Sequence, residues 1–191
     1  MHIIIATDIW GKTPHLAAMA ASFEEIASKV TIVDPYDGGD PEFASKDAAY
    51  AHYKEQCGDA AYAERVSQAV AEATESVCLL GFSAGAGAVW SAVSGSSVGT
   101  VKAAVCFYSS SIHTMTDYLP KVPVEFVFAK EEPHYDVENV ARTLQDIENV
   151  QSYITPFEHG FLNPASAQYD SEVYFFWLQW IKDQLALHCS A

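Results

Sequence analysis

A serine in a glycine-rich turn is the residue of this chain best suited to chemistry. Ser83 is the centre of G-F-S-A-G, which lies between an apolar run at residues 77–80 and a stretch of small residues that ends at Gly95. The pattern predicts a buried strand, a sharp turn and a helix, the arrangement called a nucleophile elbow. The flanking glycines let strand and helix approach closely, and the N–H of Ala84 is expected to face an oxyanion.

A serine hydroxyl is a weak nucleophile, so it needs a base, and the base needs an orienting acid. His159, in F-E-H-G-F-L-N-P after the last predicted strand, fits the expected order of serine, acid and histidine along the chain. His113 follows a different strand, His134 lies in the loop expected to supply the acid, and His188 is close to residue 191. The sequence therefore predicts His159 as the base.

The acid is expected in F-A-K-E-E-P-H-Y-D, residues 128–136. Its place after a predicted strand favours Glu132, whereas Glu131 is expected to face solvent. Asp136 is an alternative acid, but it is also explained as the N-cap of a helix that begins near residue 137. A second oxyanion donor is expected from the backbone of Ile9 or Trp10, in the loop after the first strand.

Strands and helices alternate along the chain, which predicts the α/β class with a doubly wound, mostly parallel sheet of about six strands. In such sheets, ligands bind beyond the carboxyl ends of the strands.

Residues 36–41 are a predicted loop. Residues 42–58 are predicted as a polar excursion with weak helix, which is either a lid or a plain surface connection. Strands are predicted at residues 2–7, 30–33, 77–82, 101–108, 124–128 and 150–155, and helices at 14–28, 59–75 (with Asp59 as cap), 86–93, 137–147 and 170–186. The last helix is expected to bury Val173, Phe176, Trp177, Trp180 and Ile181.

Composition narrows the class of protein. The 191 residues, 50% apolar and 18% charged, fit one globular domain spanning residues 1–191. A formal net charge of −15 disfavours nucleic acid and anionic membrane as partners. The first residues lack the basic segment of a signal peptide, so a cytoplasmic location is expected. We expect no metal and no organic cofactor.

The four cysteines form no C-x-x-C pair, so neither a disulfide framework nor a zinc site is predicted. Cys78 and Cys106 fall within predicted core strands and are expected to be buried thiols.

The chain resembles the dienelactone hydrolase family of α/β-hydrolases. The matching segments occur in the family's order and cover most of the chain, and H-G-F-L-N-P is the most specific of them. They are A-T-D-I-W-G at residues 6–11, V-D-P-Y-D-G at 33–38, G-F-S-A-G-A at 81–86, A-A-V-C-F-Y at 103–108, F-A-K-E-E at 128–132 and H-G-F-L-N-P at 159–164.

The resemblance implies a three-layer α/β-hydrolase sheet, here without the usual leading strands, and hydrolysis of a small ester or lactone. The family's nucleophile falls on Ser83, its base on His159 and its acid on Glu132, with oxyanion donors at Ile9 and Ala84. The nucleophile is a serine where the dienelactone hydrolase uses cysteine, and the acid is a glutamate where aspartate is usual. An acidic residue that contacts the nucleophile in the family falls on Asp8, which is shorter than the family's glutamate. Asp8, Trp10, Tyr36, Tyr108, Asp136 and Phe161 are candidate site-lining residues.

Two other functions compete with hydrolysis. One is a catalytically inactive binding or regulatory protein on the same scaffold, since a fold does not fix a function. The other is a flavodoxin-like nucleotide-binding domain, but T-D-I-W-G-K-T-P at residues 7–14 has neither a P-loop nor a G-x-G-x-x-G pattern. The sequence does not indicate the oligomeric state.

Overall fold

A computed structural model describes residues 1–37, 41–96 and 98–189 and shows a six-stranded sheet in the order β2-β1-β3-β4-β5-β6. The strands are β1 (His2–Ala6), β2 (Lys29–Val33), β3 (Val77–Phe82), β4 (Val101–Phe107), β5 (Val124–Phe128) and β6 (Val150–Ile154). The helices are α1 (Pro14–Ser22), α2 (Lys46–Gln56), α3 (Gly58–Ala71), α4 (Ala84–Ser94), α5 (Val137–Gln145) and α6 (Ser171–Cys189), with one turn of 3₁₀ helix at Ile112–Thr114. Neighbouring strands pair in parallel throughout, which confirms the predicted fold class.

The side chains of the central strands form a core on each face of the sheet. Ile4 and Leu79 point to the face covered by α2, α3, α4 and α5. Ile3, Ile5 and Leu80 point to the opposite face, which α1 and α6 cover. Successive side chains of a strand alternate between faces, so apolar runs such as I-I-I and V-C-L-L serve both layers. The result is three layers, with helices on both sides of the sheet.

Several predicted features of the helices are wrong. Helix α3 ends at Ala71 rather than near residue 75. The first helix ends at Ser22 rather than near residue 28, and turns occupy residues 23–26. In α6, Phe176 is 65% exposed, although it was expected in the core face. It lies one position, about 100° of helix rotation, from Trp177 and therefore falls off the buried stripe. That stripe consists of Tyr174, Trp177, Ile181 and Leu185.

The segment predicted as a weakly helical excursion is a regular helix. Ser45 caps α2 by accepting a hydrogen bond from the N–H of Ala48 at 3.2 Å. Asp59 was expected to cap the next helix, but α3 begins one residue earlier, at Gly58. The carboxylate of Asp59 instead accepts a hydrogen bond from the hydroxyl of Tyr53 at 2.7 Å. It thereby links the two helices near the positive end of α3.

Cys106 is a buried free thiol, as expected, but Cys78 is disulfide-bonded, so the expectation of a free thiol there is wrong. Residues 38–40, part of the predicted loop and including Gly38 of one matching segment, lie outside the described residues. Within the part of the chain that the structure describes, no helix is long and apolar enough to cross a membrane.

Candidate active site

Ser83 lies at the sharp turn between β3 and α4, with a positive φ of 52°. Two neighbours hold this uncommon backbone conformation. The N–H of Ser83 donates to the carbonyl of Phe107 in β4 at 2.9 Å, and the Ser83 carbonyl accepts from the N–H of Ala86 at 3.1 Å. The serine side chain therefore stands at the carboxyl end of the central strands, where parallel sheets bind ligands.

The two glycines of G-F-S-A-G are required by close packing. A Cβ atom on Gly85 would lie 2.3 Å from the carbonyl oxygen of Ala6 in β1. A Cβ atom on Gly81 would lie 2.7 Å from the Cα atom of Ala86. Side chains at either position would push α4 away from the sheet and displace the turn that carries Ser83.

The structure brings together the three residues predicted as nucleophile, base and acid. The Oγ atom of Ser83 lies 3.0 Å from Nε2 of His159. Nδ1 of His159 lies 2.6 Å from Oε1 of Glu132, whose side chain is 1% exposed. A carboxylate accepts hydrogen bonds, so it selects the tautomer with the proton on Nδ1 and leaves Nε2 to accept the serine proton.

Hydrogen bonds between the acid loop and the histidine loop fix this alignment. The N–H of Lys130 donates to the carbonyl of Phe157 at 2.6 Å. The hydroxyl of Thr155 donates to the carbonyl of Phe128 at 2.9 Å. The two contacts join the end of β5 and the loop after it to the segment after β6, so Glu132 and His159 are held in place relative to each other.

The alternative acids have other surroundings. The side chain of Asp136 accepts a hydrogen bond from the N–H of Asn139 at 3.0 Å and caps α5. Asp136 is exposed and is not among the residues that line the cavities beside Ser83, which corrects its assignment as a candidate site residue. Glu131 is exposed, as expected.

The N–H groups of Ile9 and Ala84 have no acceptor among the described residues, and both residues line a cavity that includes Ser83. The N–H of Trp10, the alternative donor, is already bonded to Oδ1 of Asp8 at 2.9 Å. The hydroxyl of Tyr36 donates to the carbonyl of Ile9 at 2.5 Å. Tyr36 thus fixes the peptide between Ile9 and Trp10, next to the proposed donor, and it is not itself among the cavity-lining residues, contrary to expectation.

Asp8 joins the first loop of the site to the histidine loop. Its Oδ2 atom accepts a hydrogen bond from the side-chain amide of Asn163, and the carbonyl of that amide accepts from the N–H of Ala165 at 2.8 Å. Burial raises the pKa of the Asp8 carboxyl, and the hydrogen bonds from Trp10 and Asn163 and the nearby imidazole of His159 oppose that rise. The described hydrogen bonds of Asp8 do not include Ser83.

Two cavities open at Ser83, and α2 contributes residues to both. The first, about 490 Å³, is here called the His159-side cavity; its walls include Asp8, Trp10, Lys46, Tyr108, His159 and Asn163. The second, about 470 Å³, is called the Tyr53-side cavity; its walls are Ile9, Tyr50, Tyr53, Asp59, Ser83, Ala84, Ser110, Ser111, His113, Thr114 and His134. The helix in residues 42–58 therefore borders the site.

Of the candidate lining residues, Asp8, Trp10 and Tyr108 line the His159-side cavity. The ring of Tyr108 lies 5.0 Å from the imidazole of His159, centroid to centroid. Phe161 does not line the site; it is 1% exposed and packs against Tyr108 and Trp177 in the core. Its place in H-G-F-L-N-P reflects core packing rather than contact with a ligand.

Sequence reasoning missed Asn163 and Lys46 as residues of the site. Asn163 lies within the most specific matching segment, and an asparagine next to a proline in a strand-end loop was the available signal. Lys46 is the first residue of α2 and lines the His159-side cavity. No local pattern marks it, because only the packing of α2 over the sheet brings it there.

Known proteins resemble this chain over most of its length. The model of the dienelactone hydrolase family matches residues 1–179. The uncharacterized protein YczH of Bacillus subtilis strain 168 is 26% identical over 189 residues, which cover 95% of this chain and 90% of that protein.

Solved structures share the fold at low sequence identity. A dienelactone hydrolase-like promiscuous phosphotriesterase from metagenomic libraries is 13% identical, with a TM-score of 0.69 over 98% of this chain and 86% of that one. Est1E from Butyrivibrio proteoclasticus with bound ferulic acid is 12% identical, with a TM-score of 0.68 over 100% of this chain and 90% of that one.

Proposed function

Because the chain belongs to the dienelactone hydrolase family, whose model matches residues 1–179, we propose that it is a serine hydrolase of small carboxylic esters or lactones. One observation carries the proposal. Ser83, His159 and Glu132 form a continuous hydrogen-bonded chain, with contacts of 3.0 and 2.6 Å, at a cavity of about 490 Å³. These residue types in this order supply a nucleophile, a base and an orienting acid.

Acylation begins when the Oγ atom of Ser83 attacks the carbonyl carbon of the substrate. The serine proton passes to Nε2 of His159, and Glu132 stabilises the imidazolium that forms. The negative charge on the carbonyl oxygen accepts hydrogen bonds from the N–H groups of Ile9 and Ala84. The tetrahedral intermediate then collapses, the bond to the alkoxy oxygen breaks, and His159 returns the proton to the leaving alcohol.

Deacylation repeats the same proton transfers with water. His159 takes a proton from a water molecule, whose oxygen attacks the carbonyl carbon of the acyl-enzyme. The second tetrahedral intermediate expels Ser83, which recovers its proton from His159, and the carboxylic acid leaves. The steps need only groups of this chain and water.

A fluorophosphonate probe and short-chain p-nitrophenyl esters test the proposal. We expect the wild-type protein to be labelled at Ser83 and to hydrolyse the esters, and Ser83→Ala to lose both properties. Ser94→Ala is a matched control, because Ser94 lies in the same turn-and-helix segment and its buried hydroxyl has no partner among the described residues. Failure of the folded wild-type protein to label would contradict the proposal and favour a non-catalytic binding or regulatory role.

A further inference from the structure

The two cavities at Ser83 are lined by mostly different residues. The His159-side and Tyr53-side cavities share only Ile9 and Ser83 among their lining residues, and their volumes, about 490 and 470 Å³, are similar. His159 lines the first cavity and not the second. The nucleophile therefore stands between two spaces, of which one contains the proposed base.

The positions of base and oxyanion donors decide what each cavity holds. In the tetrahedral intermediate, the reacting carbon carries the serine oxygen, the oxyanion, the leaving oxygen and the acyl chain. The oxyanion faces the N–H groups of Ile9 and Ala84, and the leaving oxygen must be within reach of His159, which protonates it. The alcohol portion therefore extends into the His159-side cavity, and the acyl chain takes the remaining direction, into the Tyr53-side cavity.

We propose that the substrate is an acyclic ester with an uncharged acyl group, which occupies the Tyr53-side cavity while the alcohol occupies the His159-side cavity. The inference rests on the proposed function and narrows its substrate class. In a lactone, the ring ties the acyl chain to the alkoxy oxygen, so both must lie on one side of the nucleophile. Two cavities of similar size that diverge at Ser83 instead fit two groups that part at the ester bond.

The walls of the Tyr53-side cavity argue against an acidic acyl group. They hold the carboxylate of Asp59, the hydroxyls of Ser110, Ser111 and Thr114, and the imidazoles of His113 and His134, but among the described lining residues no lysine or arginine. A second carboxylate in this space would face Asp59, whose cationic partner Lys54, at 3.4 Å, is exposed and is not among the lining residues, within a chain of net charge −15. A groove of about 870 Å³ between α3 and α4 shares Asp59, Ala84, Ser111 and Thr114 with this cavity, which leaves room for longer acyl chains.

Two bulky substitutions, one for each cavity, test the assignment. Thr114 and Gln168 are both exposed lining residues, Thr114 of the Tyr53-side cavity and Gln168 of the His159-side cavity. Thr114→Trp and Gln168→Trp would be assayed on methyl hexanoate, which is long on the acyl side, and on hexyl acetate, which is long on the alcohol side. Methyl acetate is the short reference substrate for both series.

We expect Thr114→Trp to lower kcat/KM for methyl hexanoate about tenfold or more and to leave hexyl acetate within about twofold, and Gln168→Trp to do the opposite. The reverse pattern would overturn the assignment of the cavities. Equal effects of each variant on both long substrates would also overturn it, because they indicate one shared space.

Substrate comparisons on the wild-type protein test the remaining parts of the proposal. We expect pentanoate esters to be preferred over glutarate half-esters and over δ-valerolactone, each by about tenfold or more in kcat/KM. A preference for the half-ester or for the lactone would overturn the inference while leaving the serine hydrolase intact. Absence of all ester turnover together with absence of fluorophosphonate labelling would instead be the failure of the proposed function, and the inference would fall with it.

Discussion

The backbone of Ser83 is strained. A non-glycine residue at φ 52° is strained by about 1–3 kcal/mol, and such strain persists only where the surroundings impose it. Here the carbonyl of Phe107 and the N–H of Ala86 fix the two sides of the residue. The serine hydroxyl is thereby presented to His159 without having to reorganise during the reaction.

Glu132 is expected to contribute to catalysis through His159 alone. Because Glu132→Gln keeps the size of the side chain but removes the charge that fixes the Nδ1 proton, we expect kcat for p-nitrophenyl acetate to fall by about 10³–10⁴. Glu131→Gln, an exposed neighbour, is the matched control and should leave kcat within about twofold. If Asp136→Asn lost as much activity as Glu132→Gln, the acid would have been assigned wrongly.

The residues of the proposed triad could be selected from sequence because their signals are local. Ser83 lies in a glycine pattern with a strand before it and a helix after it, and His159 lies at a strand end followed by Gly160. The choice of Glu132 over Asp136 used only position after a strand. The bonding partners of Tyr36 and Asn163 could not be predicted, because these contacts join Ile9 and Asp8 to residues 27 and 155 positions away in the chain.

The buried carboxyl of Asp8 gives a prediction about pH. Burial raises its pKa in the folded protein, so the folded state holds this proton more tightly than the unfolded state. The resulting stabilisation is complete below the unfolded pKa, about 3.9, and is lost as the pH rises through the folded pKa. The side chain of Asp8→Asn does not titrate. The unfolding free energy of the wild-type protein, relative to that of Asp8→Asn, should therefore be most favourable at the acidic end of the pH range.

Urea unfolding of both proteins between pH 4 and pH 8 measures this difference. The general loss of stability of an acidic chain at low pH affects both proteins and cancels in the comparison. A difference in unfolding free energy that stays constant, or that changes in favour of the wild type at high pH, would contradict a raised pKa for Asp8.

Loops from separate strands hold one another at the site. Tyr36, in the loop after β2, contacts Ile9, in the loop after β1, and the ring of Phe43 packs against Tyr36 at 5.6 Å and Trp10 at 6.3 Å between centroids. Gly11 has a φ of +75°, and a Cβ atom there would lie 2.9 Å from the ring of Tyr36. The proposed oxyanion loop is thus shaped by contacts with its neighbour together with the glycine of its own sequence.

Removal of the Tyr36 hydroxyl tests this arrangement. Loss of an oxyanion donor costs about 10²–10³ in kcat, and a donor that is only displaced costs less. We therefore expect Tyr36→Phe to lower kcat about tenfold and to change KM less than about threefold. Tyr169→Phe is the control, because that ring packs against Tyr174 and its hydroxyl has no hydrogen bond among the described residues. A rise in KM with unchanged kcat would show that Tyr36 serves substrate binding instead.

The elements differed in how well sequence predicted them. Strand β3 and strand β5 were predicted to the residue, because V-C-L-L-G-F and V-E-F-V-F are rich in apolar residues and are followed by Ser83 and by A-K-E. Helix α2 was underestimated because its sequence, K-D-A-A-Y-A-H-Y-K-E-Q, is mostly polar. Only Ala49 and Tyr53 of that helix are buried, and two contacts are too few to give a clear helical period.

At the scale of the molecule, the bond between Asp8 and Asn163 connects the loops after the first and last strands. The exchange of the two side chains, D8N together with N163D, preserves every hydrogen bond of the pair, including those to the N–H groups of Trp10 and Ala165. Asp8→Asn alone places two amide groups face to face, and Asn163→Asp alone places two carboxylates together. We expect each single variant to lower the free energy of unfolding by about 1–3 kcal/mol.

The double variant should recover most of that loss and, in parallel, most of kcat. Urea unfolding and ester turnover of the four proteins form a double-mutant cycle. Additive losses in the double variant would show that the two side chains act independently and that the bridge has no positioning role.

The separation of the site's parts along the chain has a consequence for the protein as it is being made. Ile9 and Ser83 leave the ribosome early, and all six strands have been synthesised once residue 154 is added. The proposed base, His159, and the partner of Asp8, Asn163, follow only after the sheet is complete. A nascent chain can thus carry all six strands while its serine has no base to activate it and the face of the sheet that α6 covers is still open. Products that terminate before residue 159 would therefore be inert toward esters in the cell.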